Sequence, residues 1–185
     1  MDEIKATSII KQTLPMLVLM GLGGTLAGLL LNAARNSLDL FPGLLVLVPA
    51  MQNLRGSISG SLASRLSTAL HQGTVKPAFR DNPELPIYAV ASISLSISMS
   101  IIVGIFAWAF SLLGNIPSLG LPGMIGVSVT VGTLSGIVHL LINVIVSITS
   151  FRMGLDPDNI AIPVLSILGD IVTILYFLMV VRLVT

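Results

Sequence analysis

The sequence has no cysteine and few charged residues. Only 9% of its 185 residues are Asp, Glu, Lys or Arg, whereas soluble domains usually carry about 25%. The absence of cysteine excludes disulfides and thiolate metal sites. The nine Lys and Arg residues are scattered singly, without the basic stripe of a nucleic-acid-binding protein. We therefore expect neither a separate soluble domain nor a nucleic-acid partner.

Apolar residues dominate instead, at 54% of the chain with a mean hydropathy of +1.01. They form five long runs, and a helix needs roughly 20 residues to cross a bilayer. The third run has serine at every second position from Ser92 to Ser100, which is typical of a strand. An open strand edge cannot face lipid, so we expect a helix there too. The predicted fold is an all-α, multi-pass protein of the cell membrane with lipid around it.

The five predicted spans are 14–32, 44–66, 87–113, 124–148 and 160–184. Residues 1–13 are interpreted as a short cytoplasmic or interfacial segment before a membrane domain of residues 14–185. With the N-terminus inside, six Lys or Arg fall on the cytoplasmic side and two outside, which favours an N-in/C-out topology. In the first span Gly24 and Gly28 form a GxxxG step, which favours close approach of another helix.

Two ionisable residues stand out near the middle of the predicted spans, Arg55 and Asp170. Asp170 lies about 15 Å into the fifth span, near the middle of a hydrocarbon core about 30 Å thick. Such a residue costs at least a few kcal/mol and marks a functional site by default. Two interpretations remain open. Asp170 supplies a carboxylate to a water-filled path for a hard cation, or it neutralises Arg55 of the second span in a structural ion pair.

Smaller polar groups accompany these charges. After Arg55, the residues Gly56, Ser57 and Gly60 indicate either close helix packing or an ion path lined by backbone carbonyls. In the fourth span, His139 and Asn143 are four residues apart and face the same way. They are interpreted either as pore-lining residues or as packing residues.

Two aspartates precede the fifth span. Asp156 or Asp158 would cap the helix, where a carboxylate is also favoured by the helix dipole. Capping accounts for only one of them. The other favours an acidic mouth that concentrates cations at the cytoplasmic end of a path.

Two segments resemble the membrane domain of the MgtE family and its animal solute-carrier relatives, which transport magnesium and other divalent cations. Residues 48–68, VPAMQNLRGSISGSLASRLST, are similar to the second-helix signature of that family. Residues 154–173, GLDPDNIAIPVLSILGDIVT, are similar to its fifth-helix signature. Together they cover about a fifth of the chain, and the predicted five-span, N-in layout agrees with the family elsewhere.

The resemblance implies a pore at a homodimer interface, lined by the second and fifth helices of both subunits. Asp170 matches the aspartate that faces a hydrated cation in the family. The other metal-site residues implied are Asn53, Gly56, Ser57, Gly60, Ser166 and Gly169. Ser57 departs from the family, which commonly has asparagine after the glycine, and this change could alter ion preference.

No prosthetic group is expected, because Mg²⁺ or another divalent cation is the transported ligand. The sequence shows no internal repeat, so a two-fold pore requires two chains. Bacterial members of the family carry large cytoplasmic regulatory domains. None is expected in this chain, so a separate regulatory protein would have to supply gating of that kind.

Three alternatives to a channel or uncoupled transporter are considered. One is an exchanger coupled to Na⁺ or H⁺. Another is a structural membrane subunit in which Arg55 and Asp170 pair. The third, a membrane-embedded hydrolase, is disfavoured because Asp170 has no second acid at a catalytic spacing and no Ser-His-Asp set is apparent. We therefore predict that the protein is not an enzyme.

Overall fold

The computed structural model describes residues 6–33, 38–39 and 41–184, and it describes side chains from residue 14 onward, except that of residue 16. In this part of the chain there are five long helices and no strand. They are α1 (Ala6–Ala33), α2 (Leu44–His71), α3 (Leu85–Leu113), α4 (Gly120–Arg152) and α5 (Pro157–Val184). The prediction of an all-α fold is confirmed.

The five helices differ in how well their composition suits a membrane. Among the described residues, α3, α4 and α5 are long and apolar enough to cross a bilayer. In α1 the apolar stretch is shorter, Leu17–Ala33. Helix α2 is less apolar because its middle contains Gln52, Asn53 and Arg55. Both α1 and α2 have 28 residues, or about 42 Å, which exceeds the thickness of the hydrocarbon core.

Helix α1 begins before the predicted first span. It starts at Ala6 and continues without interruption through Pro15 to Ala33. No break therefore separates the predicted N-terminal segment, residues 1–13, from the first apolar run. Residues 1–5 of that segment lie outside the described residues.

Helices α2, α4 and α5 form the centre of the bundle. Each of them packs against the other two, while α3 packs against α2 and α4, and α1 packs against α5. The Gly43 amide donates a hydrogen bond to Pro117 O at 2.9 Å, which joins the start of α2 to the α3–α4 connection. Arg152 Nε donates to Pro77 O, which joins the end of α4 to the α2–α3 connection. Consecutive connections therefore alternate between the two ends of the bundle.

The alternating serines of α3 divide into two sets. Every second serine is buried, namely Ser92, Ser96 and Ser100, which are four residues apart, whereas the two between them are exposed. Residues four apart share one face of a helix, and here that face packs against α4. Ser128 Oγ of α4 donates to Ser100 O at 2.7 Å. The serine pattern is thus a small, polar helix face, as the helical prediction required.

Helix α1 approaches α5 at a glycine other than the predicted pair. A Cβ atom at Gly23 would lie 2.7 Å from Ile167 Cγ2, so no larger residue fits there without a shift. At Gly24 and Gly28 a Cβ would meet nothing within 4 Å among the described residues. The close approach that the GxxxG step favours is therefore not found within the described part of one chain, where both glycines are exposed.

Gly104 should be essential for the packing of α3 on α4. A Cβ there would lie 2.5 Å from Ser128 Oγ and 2.8 Å from Ile125 Cα. Because the backbone at Ile125 cannot rotate aside, we expect Gly104→Ala to separate the helices and cost about 1–3 kcal/mol. Thermal unfolding of the purified protein in detergent micelles measures this loss.

The matched control is Gly126→Ala in α4, where a Cβ would meet nothing within 4 Å among the described residues. This variant should unfold at the wild-type temperature or slightly above it, since alanine favours a helix over glycine. Equal unfolding temperatures for the two variants would contradict the packing argument.

Candidate functional site

A cavity of about 460 Å³ lies between α2 and α5 and is open on one side. Asp170, on its α5 wall, is at the midpoint of that helix. On the other wall, Arg55 and Ser57 are close to the midpoint of α2. The polar groups of the cavity therefore lie halfway along the bundle rather than at either end.

Most of the predicted metal-site residues line this cavity, namely Asn53, Gly56, Ser57, Ser166, Gly169 and Asp170. Gly60, one turn further along α2, is not among the lining residues. The prediction also missed two residues that do line it, Gln52 and Leu165. Gln52 precedes Gly56 by four residues, so the helical period alone would have placed it on the same face.

The Asp170 carboxylate has no protein partner in the described part of the chain. No hydrogen bond or ion pair reaches it there, and the residue is only partly buried. On the α2 wall, Asn53, Gly56 and Ser57 are exposed. The carboxylate is therefore available to water or to an ion within the cavity.

Arg55 is buried in the same wall, with 3% of its surface exposed. Its Nη1 donates a hydrogen bond to Ser96 Oγ at 3.0 Å. Nε and Nη2 have no partner among the described residues, and no ion pair joins Arg55 to Asp170 there. The interpretation of these two residues as a structural ion pair therefore finds no support in the described contacts.

His139 and Asn143 lie behind the cavity, in the interior of one chain. His139 is 3% exposed, and a Cβ at Gly169 would lie 2.6 Å from its Nε2, so only glycine fits between the imidazole and the cavity. Asn143 Nδ2 donates to Ser59 O at 2.7 Å, and its Oδ1 accepts from Ser147 at 3.2 Å. These positions favour the packing interpretation over the pore interpretation.

Asp156 is the residue that caps α5. Its Oδ1 accepts a hydrogen bond from the Asp158 amide at 3.1 Å. The same oxygen accepts from Ser67 Oγ at 3.3 Å, which ties the end of α2 to the start of α5. Asp158 lies in the first turn, and its Oδ1 is buried without a hydrogen-bond partner in the described part of the chain. Asp158 is therefore the remaining candidate for an acidic mouth.

The donor set of the cavity suits a hydrated cation. No three His, Cys, Asp or Glu side chains come together as a metal cluster in the described ranges. Of the described residues around the cavity, Asp170 alone carries a carboxylate, and the other oxygen donors are hydroxyl, amide and backbone groups. A hard cation that keeps most of its water can be held by such groups.

The segment of the chain that contains this cavity matches a family of known proteins. Residues 48–180 match the MgtE family, described as a divalent cation transporter. Solute carrier family 41 member 2 from Xenopus laevis is 32% identical over 173 residues, which covers 88% of this chain and 30% of that protein. Solute carrier family 41 member 3 from Rattus norvegicus is 30% identical over 172 residues, with 85% and 35% covered. The chain thus spans about a third of the length of these relatives.

The family match includes every residue that lines the cavity. It covers well over half of the chain, and its members are transporters rather than enzymes, as predicted from the residues. The three long apolar helices among the described residues also agree with an integral membrane protein. The chain therefore belongs to the MgtE family of divalent cation transporters.

Proposed function

We propose that the protein transports a divalent cation, with Mg²⁺ as the leading ion, along a hydrated path between α2 and α5 of two copies of the chain. The observation that carries this proposal is the cavity at the middle of the bundle, where the Asp170 carboxylate faces small polar residues of α2. A carboxylate at this depth has to be solvated. A cation path supplies both the water and the counter-charge.

The size and chemistry of the cavity support a hydrated ion. Mg²⁺ dehydrates reluctantly and usually keeps several waters. With six waters it occupies roughly 200 Å³, at about 30 Å³ for each water, and the cavity of about 460 Å³ is larger. In this mechanism Asp170 contacts the ion through its water, while Asn53, Ser57, Ser166 and the backbone at Gly56 bind the remaining waters.

A second copy of the chain would cover the open side of the cavity. From the cavity toward the end of α2 runs an exposed polar row, Ser57, Ser61, Ser64 and Thr68. Lipid offers no hydrogen bonds to such a row, whereas water or the same row on another chain does. Two chains placed face to face would also bring two Asp170 carboxylates to one path. These features support a homodimer.

The proposed topology has five spans with the N-terminus inside and the C-terminus outside. Lys76 and Arg80 lie in the α2–α3 connection, and Arg152 meets that connection through Pro77. Positive residues concentrate on the cytoplasmic side of membrane proteins, so this end of the bundle would face the cytoplasm. Asp158 would then attract cations to the cytoplasmic mouth of the path.

Replacing Asp170 by asparagine tests the path directly. Asp170→Asn keeps the shape of the side chain but removes the charge that balances the ion. We expect Mg²⁺ flux into proteoliposomes to fall at least about tenfold, because losing the carboxylate charge in a path enclosed by protein and lipid should raise the barrier by more than about 1.4 kcal/mol. A Mg²⁺-sensitive dye inside the liposomes measures the flux.

Asp81→Asn is the matched control for the same chemical change. Asp81 is exposed in a connection and has φ +61°, a conformation that asparagine tolerates. Mg²⁺ flux in the Asp81→Asn variant should equal that in the wild type. Normal flux in a folded Asp170→Asn protein would contradict the proposed role, whereas wild-type flux that requires an opposing Na⁺ or H⁺ gradient would indicate the exchanger.

Cross-linking tests the proposed dimer, since the chain has no cysteine of its own. Ser61→Cys places a single thiol in the exposed row of α2, which meets its own copy in a two-fold assembly. A short bifunctional maleimide should link two such chains in membranes. Leu141→Cys on α4, 57% exposed, should remain unlinked. Equal linking of the two variants would argue against this interface.

A further inference from the structure

The guanidinium of Arg55 is a buried charge with almost no protein partner. It lies near the midpoint of α2, and its side chain is 3% exposed. In the described part of the chain it makes one side-chain hydrogen bond, to Ser96 Oγ. Burying a charge without an anion is expensive. A residue whose role was only to fill this space would be more stable there as an apolar side chain than as arginine.

The bundle nevertheless has a defined place for this guanidinium. Ser96 Oγ accepts its Nη1 hydrogen and donates its own hydrogen to Ser92 O at 2.7 Å. On the α4 side, a Cβ at Gly136 would collide with Arg55 Nη1 and lie 2.9 Å from Ser96 Oγ. The guanidinium is therefore held between α3 and α4, in a space that a larger residue at Gly136 would fill.

Arg55 also lines the cavity that contains Asp170. Although the guanidinium itself is buried, the field of its charge extends into the cavity and acts on a cation at the carboxylate. The described contacts include no ion pair between them, so Asp170 stays free to face the ion. In each chain the positive charge of Arg55 cancels the negative charge of Asp170. The net charge of these groups is therefore zero in two chains as well. The cavity must therefore attract a cation less strongly than Asp170 alone would.

We propose that Arg55 is a fixed counter-charge that weakens divalent-cation binding at Asp170 and thereby speeds release of the ion. This inference rests on the proposed transport function. A path conducts only if its site holds the ion weakly enough to let it leave. Two uncompensated carboxylates facing one divalent ion would hold it more tightly. The repulsion from Arg55 scales with ionic charge, so it acts twice as strongly on a divalent as on a monovalent cation.

Removing the charge of Arg55 should tighten binding. Arg55→Gln keeps a hydrogen-bond donor for Ser96 but loses the positive charge. Mn²⁺, which takes the same oxygen ligands as Mg²⁺, can be titrated into the purified full chain and followed by electron paramagnetic resonance. We expect affinity to rise at least about tenfold, and both the maximal Mg²⁺ flux and its half-saturating concentration to fall. Arg55→Lys, which keeps the charge, should resemble the wild type.

Releasing the guanidinium should have the opposite effect. Ser96→Ala removes the hydroxyl that accepts the Arg55 hydrogen bond, and we expect the freed guanidinium to pair with the Asp170 carboxylate. Mn²⁺ binding should then weaken. General damage to the bundle would weaken binding in both Arg55→Gln and Ser96→Ala, so opposite signs separate a counter-charge from a structural role. Asp170→Asn identifies the site, because it should remove the binding.

Unchanged or weaker Mn²⁺ binding in folded Arg55→Gln would overturn the inference. If that variant fails to assemble, unchanged or tighter binding in Ser96→Ala would overturn it instead. The proposed transport function is tested separately. It is wrong if liposomes that contain the wild-type protein show no Mg²⁺ flux. If Arg55→Gln binds Mn²⁺ more tightly but the wild-type protein shows no Mg²⁺ flux, Arg55 still weakens cation binding and the transport function is wrong.

Discussion

Keeping the Asp170 carboxylate in contact with water, at the midpoint of an apolar helix, is the constraint on which the rest of the bundle depends. Helix α5 cannot present such a charge to acyl chains without a cost of several kcal/mol. The facing wall of α2 meets this constraint with residues too small to fill the space, notably Gly56 and Ser57. The cavity therefore follows from side-chain size on α2 as much as from charge on α5.

Glycines of α4 and α5 make room for further polar groups at the same depth in the bundle. Gly136 leaves room for the Arg55 guanidinium, and Gly169 leaves room for the His139 imidazole. Small residues let helix backbones approach closely, so three helices place these groups side by side without opening the interior to lipid. A methyl group at either glycine would push a polar side chain away from its position.

The sequence could predict contacts between residues that are close along the chain, but not contacts between residues that are far apart. Ser166 and Asp170 are four residues apart on one helix, so their common face is a direct consequence of helical geometry. That α2 supplies the opposite wall was implied by family resemblance, because no periodic signal relates two helices. The contact of Arg55 with Ser96 spans 41 residues and could not be predicted. Gly60 shares the spacing of the α2 residues yet lies outside the cavity, since spacing does not show where the two helices come into contact, as they do where Ala63 packs against Ala161 and Leu165.

Helix α2 is poorly suited to entering a bilayer by itself. Within the described residues, α3, α4 and α5 are sufficiently apolar, whereas α2 is not, and an arginine at a helix centre costs about 2.5–3.5 kcal/mol on insertion scales. The hydroxyl that accepts from this arginine belongs to Ser96 of α3, which leaves the ribosome later. The side-chain hydrogen bond of this arginine is therefore completed only by a helix that is synthesised after α2.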